Sequence, residues 1–327
     1  MSRIGPWQVF AMSGALLAAS LTADAQQSNR VRRIGVLLIG SACPTPSALT
    51  RKLTEFGWIE GRTVEFDCVS AGGRFETLPS LARQLVARHP DLLVSQYNPA
   101  ARALKAATST IPIVMMWTSE PVRSGVAQGL AHPGGNVTGL VSVLFDVERK
   151  RIDLLKEMLP RLDRLAVIGR QTDDPYYSDI DKIVAEAAHS HGFTYHWFRA
   201  SQPEDYPRLF KEIAASGFDA VYLVPNPLID MNPPLIGSAA LARRLPAIGS
   251  LSALADAGVL LTYGPNVQHN AERAAIFVDK ILRGSKPGDL PFEQPTRFEL
   301  AINLKAAKAL GLTIPQSMLV RADRVIE

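Results

Sequence analysis

From residue 30 onward, short apolar runs alternate with longer segments whose apolar residues recur every three or four positions. Residues 33–39 (RIGVLLI), 91–95 (DLLVS) and 111–117 (IPIVMMW) are apolar almost throughout, as expected of strands buried on both faces. Residues 62–69 alternate, with Val64, Phe66 and Cys68 on one face. The segments between them carry helical spacing. Ser47 can cap a helix over 47–56 that Gly57 closes. Leu78, Leu81, Leu85 and Val86 share one face over 78–88, and 99–107 forms a third helix. Strand, helix, strand, helix with short links implies parallel strands and right-handed crossovers.

The second half repeats this order. Helices are expected over 147–159, 179–191, 206–215 and 235–244, and strands over 164–168, 194–198, 219–224 (DAVYLV), 247–248 and 259–263 (VLLTY). In the first of these helices Ile152, Leu155, Met158 and Leu159 face inward and the charged residues face out. Pro133-Gly134-Gly135-Asn136 separates the halves. A long amphipathic helix over 267–283 then follows, closed by Gly284, with a link containing Pro287, Pro291 and Pro295, a strand at 298–300 and a helix over 304–310. The extra helix has to pack somewhere. Returning it to the first domain makes both domains discontinuous, 30–142 plus 265–295 and 143–264 plus 296–327, with the chain crossing between them at natural hinges, the first over 137–143. The predicted class is therefore α/β, two doubly wound parallel-sheet lobes.

Composition and charge narrow the function. At 327 residues, 47% hydrophobic and 20% charged, the chain has ample material for two cores. A net charge of +4, spread along the chain, lacks the concentrated basic stripe of a nucleic-acid binder. At the N-terminus Arg3 precedes an apolar segment, 9–21 (VFAMSGALLAASL), and Ala23-Asp24-Ala25. This is the pattern of a cleavable export signal over 1–25, with the mature chain starting at Gln26. Thirteen residues are short for a membrane span. Cys43 and Cys68 both follow strands of the first half, and either pair in an oxidising compartment or remain two thiols.

Catalytic signatures are absent from the sequence: no G-x-S-x-G, no Walker loop, no G-x-G-x-x-G after the first strand and no H-E-x-x-H. No cofactor or metal is expected, and His189, His191 and His196 lack ligand spacing. What stands at the strand exits is polar and aromatic: Ser41, Tyr97, Asn98, Thr118, Ser119 and Glu120 in the first half, and Asp173, Asp174, Tyr176, Tyr177, Asn226 and Tyr263 in the second. In open α/β sheets ligands bind at the carboxyl ends of the strands. These loops are therefore expected to face each other across a cleft holding a small, partly apolar ligand. Asp173 and Asp174 have a second role open to them, capping the helix that follows, and Trp117 can serve either core or ligand.

Four stretches in order, 56–64 (FGWIEGRTV), 107–114 (ATSTIPIV), 132–139 (HPGGNVTG) and 303–311 (NLKAAKALG), resemble the ABC-transporter substrate-binding proteins of the tryptophan/tyrosine-binding type. The resemblance covers the mature chain. It implies a type I periplasmic-binding-protein fold with three crossovers, a ligand closed between the lobes by hinge motion, and a monomer in the periplasm that hands the ligand to permease subunits. Lasting membrane insertion and nucleic-acid partners are not implied. The family's cleft loops map onto Ser41, onto Asn98, Pro99 and Ala100, and onto Ser119, Glu120 and Pro121; many relatives carry aspartate where this chain has Glu120. The expected ligand is an amino acid or aromatic carboxylate. Residues 98–100 and 118–120 would anchor its carboxylate, Tyr97, Tyr177 and Tyr263 would flank its apolar body, and Asp173 or Asp174 would meet its ammonium group. The alternatives are a sensory module that reports to a membrane receptor and, third, an exported α/β enzyme.

Overall fold

The computed structural model describes residues 30–40, 43, 47–141, 145–172 and 175–327. The expected export signal and, among the expected site residues, Ser41, Asp173 and Asp174 lie outside the described residues. The apolar runs of the first half become β1 (Arg32–Leu38), β2 (Val64–Ser70), β3 (Leu92–Ser95), β4 (Ile113–Thr118) and β5 (Val137–Val141). They form one parallel sheet in the order β2-β1-β3-β4-β5. Val36 sits between Cys68 and Val94 in the register. Helices α1 (Ser47–Glu55), α2 (Leu78–Val86) and α3 (Tyr97–Ala107) cover its faces, which is why its inner strands are apolar on both sides.

The second sheet runs β12-β11-β10-β9-β8-β6-β7. Its parallel strands are β6 (Arg164–Arg170), β7 (Thr194–Ala200), β8 (Ala220–Leu223), β9 (Ala247–Gly249) and β10 (Leu261–Pro265). Around them pack α4 (Phe145–Met158), α5 (Pro175–His191), α6 (Asp205–Ala215), the single turn α7 (Pro227–Asp230), α8 (Pro233–Ala242) and α9 (Ser252–Asp256).

Helix α10 (Val267–Leu282) follows the second sheet but packs on the first. Ala271, Ala274, Ala275, Phe277 and Val278 join a buried cluster with Ile34, Val36, Leu92, Val94 and Val114. The link behind it then runs beside β5. Thr138 Oγ1 donates to the Leu290 carbonyl at 2.7 Å, and the Glu293 main chain bonds Gly139 and Val141. The chain returns to the second lobe as β11 (Phe298–Asn303), α11 (Leu304–Leu310), α12 (Gln316–Arg321) and β12 (Arg324–Ile326). The lobes are thus joined by three crossings. Because β11 enters from the cleft side, it pairs antiparallel with β10, so the second sheet is mostly rather than wholly parallel.

Cys43 and Cys68 are disulfide-bonded, with Cα atoms 5.9 Å apart, which settles the pairing in favour of a bridge. The bridge ties the segment after β1 to the neighbouring strand. Among the described residues no helix is long and apolar enough to cross a membrane.

Two differences from the sequence expectation have local causes. Strand β10 runs on to Pro265, because β11 holds Pro265 opposite Phe298. Helix α7 forms where Pro225 and Pro227 read as breakers: Pro227 stands at its first turn, where a missing N–H costs nothing, and the Asn226 side chain accepts from the Leu228 and Ile229 amides.

Gly237, inside α8, has a packing role. A Cβ there would lie 1.9 Å from the Ala257 carbonyl oxygen. Alanine favours a helix over glycine by about 1 kcal/mol, but a backbone carbonyl cannot turn aside. Gly237→Ala should therefore lower stability by roughly 2–4 kcal/mol, read from the urea midpoint. An unchanged or higher midpoint would contradict the packing described.

Candidate functional site

The carboxyl ends of the two sheets face each other and enclose a cavity. Its volume is about 90 Å³ for the centre of a water-sized sphere. That is small beside the several hundred Å³ of most ligand pockets. Most of its walls come from strand ends and helix starts. The first lobe supplies Tyr97, Asn98 and Pro99 after β3, Trp117 and Thr118 at the end of β4, and Ser119 after it. From the second come Arg170 at the end of β6, Tyr176 and Tyr177 after it, Pro225, Asn226, Pro227 and Asp230 after β8, Ser250 and Leu251 after β9, and Arg151 from α4. Pro265, Val267 and Asn270 line it at the second crossing.

Tyr97, Asn98, Pro99, Thr118, Ser119, Tyr177 and Asn226 are thus brought together as the sequence suggested. Ala100, Glu120 and Tyr263 are not among the lining residues. Ala100 is fully buried in the first lobe, because α3 begins at Tyr97 and its fourth position turns into the core. Glu120 has a φ of 45° and lines a separate groove with Pro121 and Val122. Tyr263 lies inside β10 rather than at its exit, stacked on Phe298 at 6.0 Å between ring centres.

Asn98 holds the first-lobe lip together. Its Nδ2 donates to the Ser119 carbonyl at 2.6 Å and to Ser119 Oγ at 3.2 Å, and Thr118 Oγ1 donates to its Oδ1. Its amide is therefore committed to the lip. Gln96 gives α3 no side-chain cap. The first-turn amides of this helix, which no intrahelical carbonyl can reach, thus begin at the cavity wall.

Behind the second-lobe wall lies a polar network missed in the sequence. Glu148 is fully buried and Arg151 is 2% exposed. The Glu148 carboxylate accepts from Arg151 Nη1, from Tyr222 OH and, at 3.0 Å, from Tyr176 OH. Arg151 Nε donates to the Tyr263 carbonyl at 2.5 Å. Burial disfavours the Arg151 charge, but Glu148 beside it more than compensates and holds its pKa above the usual value. Burial and then Glu148 push both tyrosine hydroxyls up, which keeps them neutral donors. A signal for this existed: Glu148 and Arg151 share the helical face of Val147, Leu154, Leu155 and Met158, all buried. Arg170, Asp230, Ser250 and Asn270 gave no comparable signal.

Asp230 accepts from Ser250 Oγ at 3.0 Å and from Tyr97 OH at 3.2 Å. It keeps some accessible surface because it lines the cavity, yet the protein encloses it deeply enough that lost solvation dominates. Burial pushes its carboxyl up to about 6, against the opposing pull of its two hydrogen bonds. Burial, then the Asp230 charge, push the Tyr97 hydroxyl well up.

Residues 44–326 match the sequence family described as ABC transporter substrate binding protein. The chain belongs to that family. A curated relative, the tyrosine-binding protein of Clostridioides difficile (strain R20291), is 25% identical over 274 residues, covering 80% of this chain and 75% of the relative. Among solved structures, the ABC domain in complex with L-Trp from Streptococcus pneumonia superposes with a TM-score of 0.82 at 25% identity, over 91% of this chain and 100% of that one. A conserved domain protein from Vibrio cholerae gives 0.84 at 29% identity, over 90% and 100%. Family and fold are those of substrate-binding proteins that hold a small ligand, as the sequence resemblance implied.

In this substrate-binding protein the buried pair should behave asymmetrically. Arg151→Met leaves a buried carboxylate uncompensated and should cost about 3–5 kcal/mol in urea unfolding, while adding Glu148→Gln should restore at least half of that loss. Additive losses would contradict the pairing. Asp230 gives a pH signature. Its pKa is raised from 3.8 in the ordinary range to about 6, so between these values the folded protein binds more protons than the unfolded chain. The group's contribution to stability therefore falls as pH rises through that window. Ligand-free Asp230→Asn should be more stable than wild type at pH 7.5, on the order of 1–2 kcal/mol, with the difference vanishing near pH 4. Melting curves at both pH values check this, and a difference that grows toward pH 4 would reverse the sign.

Proposed function

We propose that this protein captures an α-amino acid with an aromatic or comparably large apolar side chain between its lobes and delivers it to the permease of an ABC transporter. The observation that carries this reading is the cavity itself, with aromatic rings, hydroxyls and charges of both signs drawn from both lobes. A wholly apolar ligand would leave the Asp230 charge without a counter-ion. A polyol would gain little from Trp117, Tyr97 and Tyr177. The ligand carboxylate meets the first-turn amides of α3 and the Ser119 hydroxyl, and the side chain lies against Trp117 and Tyr177. The tyrosine and tryptophan of the relatives' descriptions are consistent with this class.

Closure follows from the three crossings. In the closed arrangement the Arg170 guanidinium lies 4.1 Å from the centre of the Phe75 ring in the opposite lobe, Arg123 pairs with Asp179, and Tyr97 bonds Asp230. A ligand that touches both walls shifts the open–closed equilibrium by its extra contacts in the closed form. The permease then reads the closed form. The disulfide suits an oxidising compartment, and with the export signal it supports a periplasmic location.

A thermal-shift screen of the protein without residues 1–25 should show a higher melting temperature with tryptophan, tyrosine or phenylalanine than with glycine or aspartate. Ser119→Ala should then weaken the best binder about 10-fold, and Trp117→Ala by more, in calorimetric titration. No shift with any amino acid would overturn the ligand class.

A further inference from the structure

Asp230 is the one carboxylate among the described cavity-lining residues. It ends α7, a turn fixed from its start by the Asn226 side chain. Its two partners are neutral hydroxyls, and no Lys, Arg or His nitrogen among the described residues comes within 4.0 Å of it. A carboxylate offers about four acceptor positions, so roughly two remain free. A buried carboxylate with no ion pair is costly, and the cavity is the direction from which a cation can reach it. Its hydroxyl partners come from both sides of the cleft: Ser250 from the second lobe, Tyr97 from the first. Tyr97 holds that position with a φ of 59°, in the left-handed region, and with its ring edge-on to Trp117 at 5.7 Å.

We propose that Asp230 is the receptor for the ligand's ammonium group and makes the site select amino acids over the same acids without an amine. This rests on the amino-acid reading above. Asp230 has both hydroxyl partners only while the lobes meet, so ammonium capture and closure reinforce one another. Around the carboxylate stand Arg151 and Glu148 of α4, Arg170 of β6, Tyr97 of α3 and Tyr206 of α6. Of the groups whose pKa values these surroundings move, Asp230 alone is brought near neutrality. Its charge, and with it the preference for an amine, should fade as pH falls from 7.5 to 5.

The experiment compares L-tryptophan with indole-3-propionate, and L-tyrosine with 3-(4-hydroxyphenyl)propionate, by calorimetric titration at pH 7.5 and 5. Wild type should prefer the amino acid of each pair by at least about 30-fold at pH 7.5, and Asp230→Asn should reduce that preference to within about 3-fold. In wild type the preference should drop about 10-fold at pH 5, a test that stands even where the variant does not fold. A preference that survives both Asp230→Asn and pH 5, or a wild type indifferent to the amine, overturns the proposal while leaving a ligand in the cavity. A wild type that binds neither member of either pair contradicts the amino-acid reading itself, and the proposal with it.

Discussion

The hydrogen bond from Tyr97 to Asp230 spans two bodies whose main cores are separate, with Phe75 and Met231 packing across the seam. Each lobe buries its own sheet beneath its own helices, and three chain crossings link them. Whatever holds the lobes face to face must therefore come from the few groups at their facing edges. Tyr97 and Asp230, Arg170 and Phe75, and Arg123 and Asp179 are such groups. Apart from the Phe75 ring they are polar or charged, and the Arg123 pair is weak because it is partly exposed and screened by solvent. Weak contacts between rigid bodies are what a binding protein needs, because a few kcal/mol of ligand contact can then decide the equilibrium.

Behind that adjustable surface the second lobe is held firmly. Glu148 and Arg151 place a full ion pair in the interior, with two tyrosine hydroxyls satisfying the carboxylate and the Tyr263 carbonyl satisfying Nε. Removing one partner of such a pair costs far more than the pair adds to net stability, because the other charge is left buried. Here it joins α4, just after the first crossing, to β10, just before the second. Two of the three crossings thus emerge from one fixed anchor.

Much of the fold was legible because its signals are local. An apolar run such as 111–117 can only be buried, and helical spacing such as that of Leu78, Leu81 and Leu85 names its own face. The placement of α10 on the first lobe followed from a leftover helix with an apolar side. The site was legible only as far as strand exits could be found. Tyr97, Asn98, Thr118, Ser119 and Asn226 stand at strand ends or within a few residues of them and line the cavity. Asp230 stands at the far end of a four-residue turn between prolines, and Ser250 after a three-residue strand, so no periodicity pointed to either. Tyr263 was misplaced because the strand's end depended on a partner strand some forty residues away. Arg151 was read as a solvent-facing charge because charge outweighed spacing.

The central claim is that one ligand engages both lobes at once. Amide hydrogen exchange tests it most directly. Saturating L-tryptophan, or whichever amino acid binds best, should slow exchange together in peptides covering Tyr97–Ala107 of the first lobe and Pro227–Asp230 of the second. Protection confined to one lobe, with the other exchanging as in the ligand-free protein, would contradict the account.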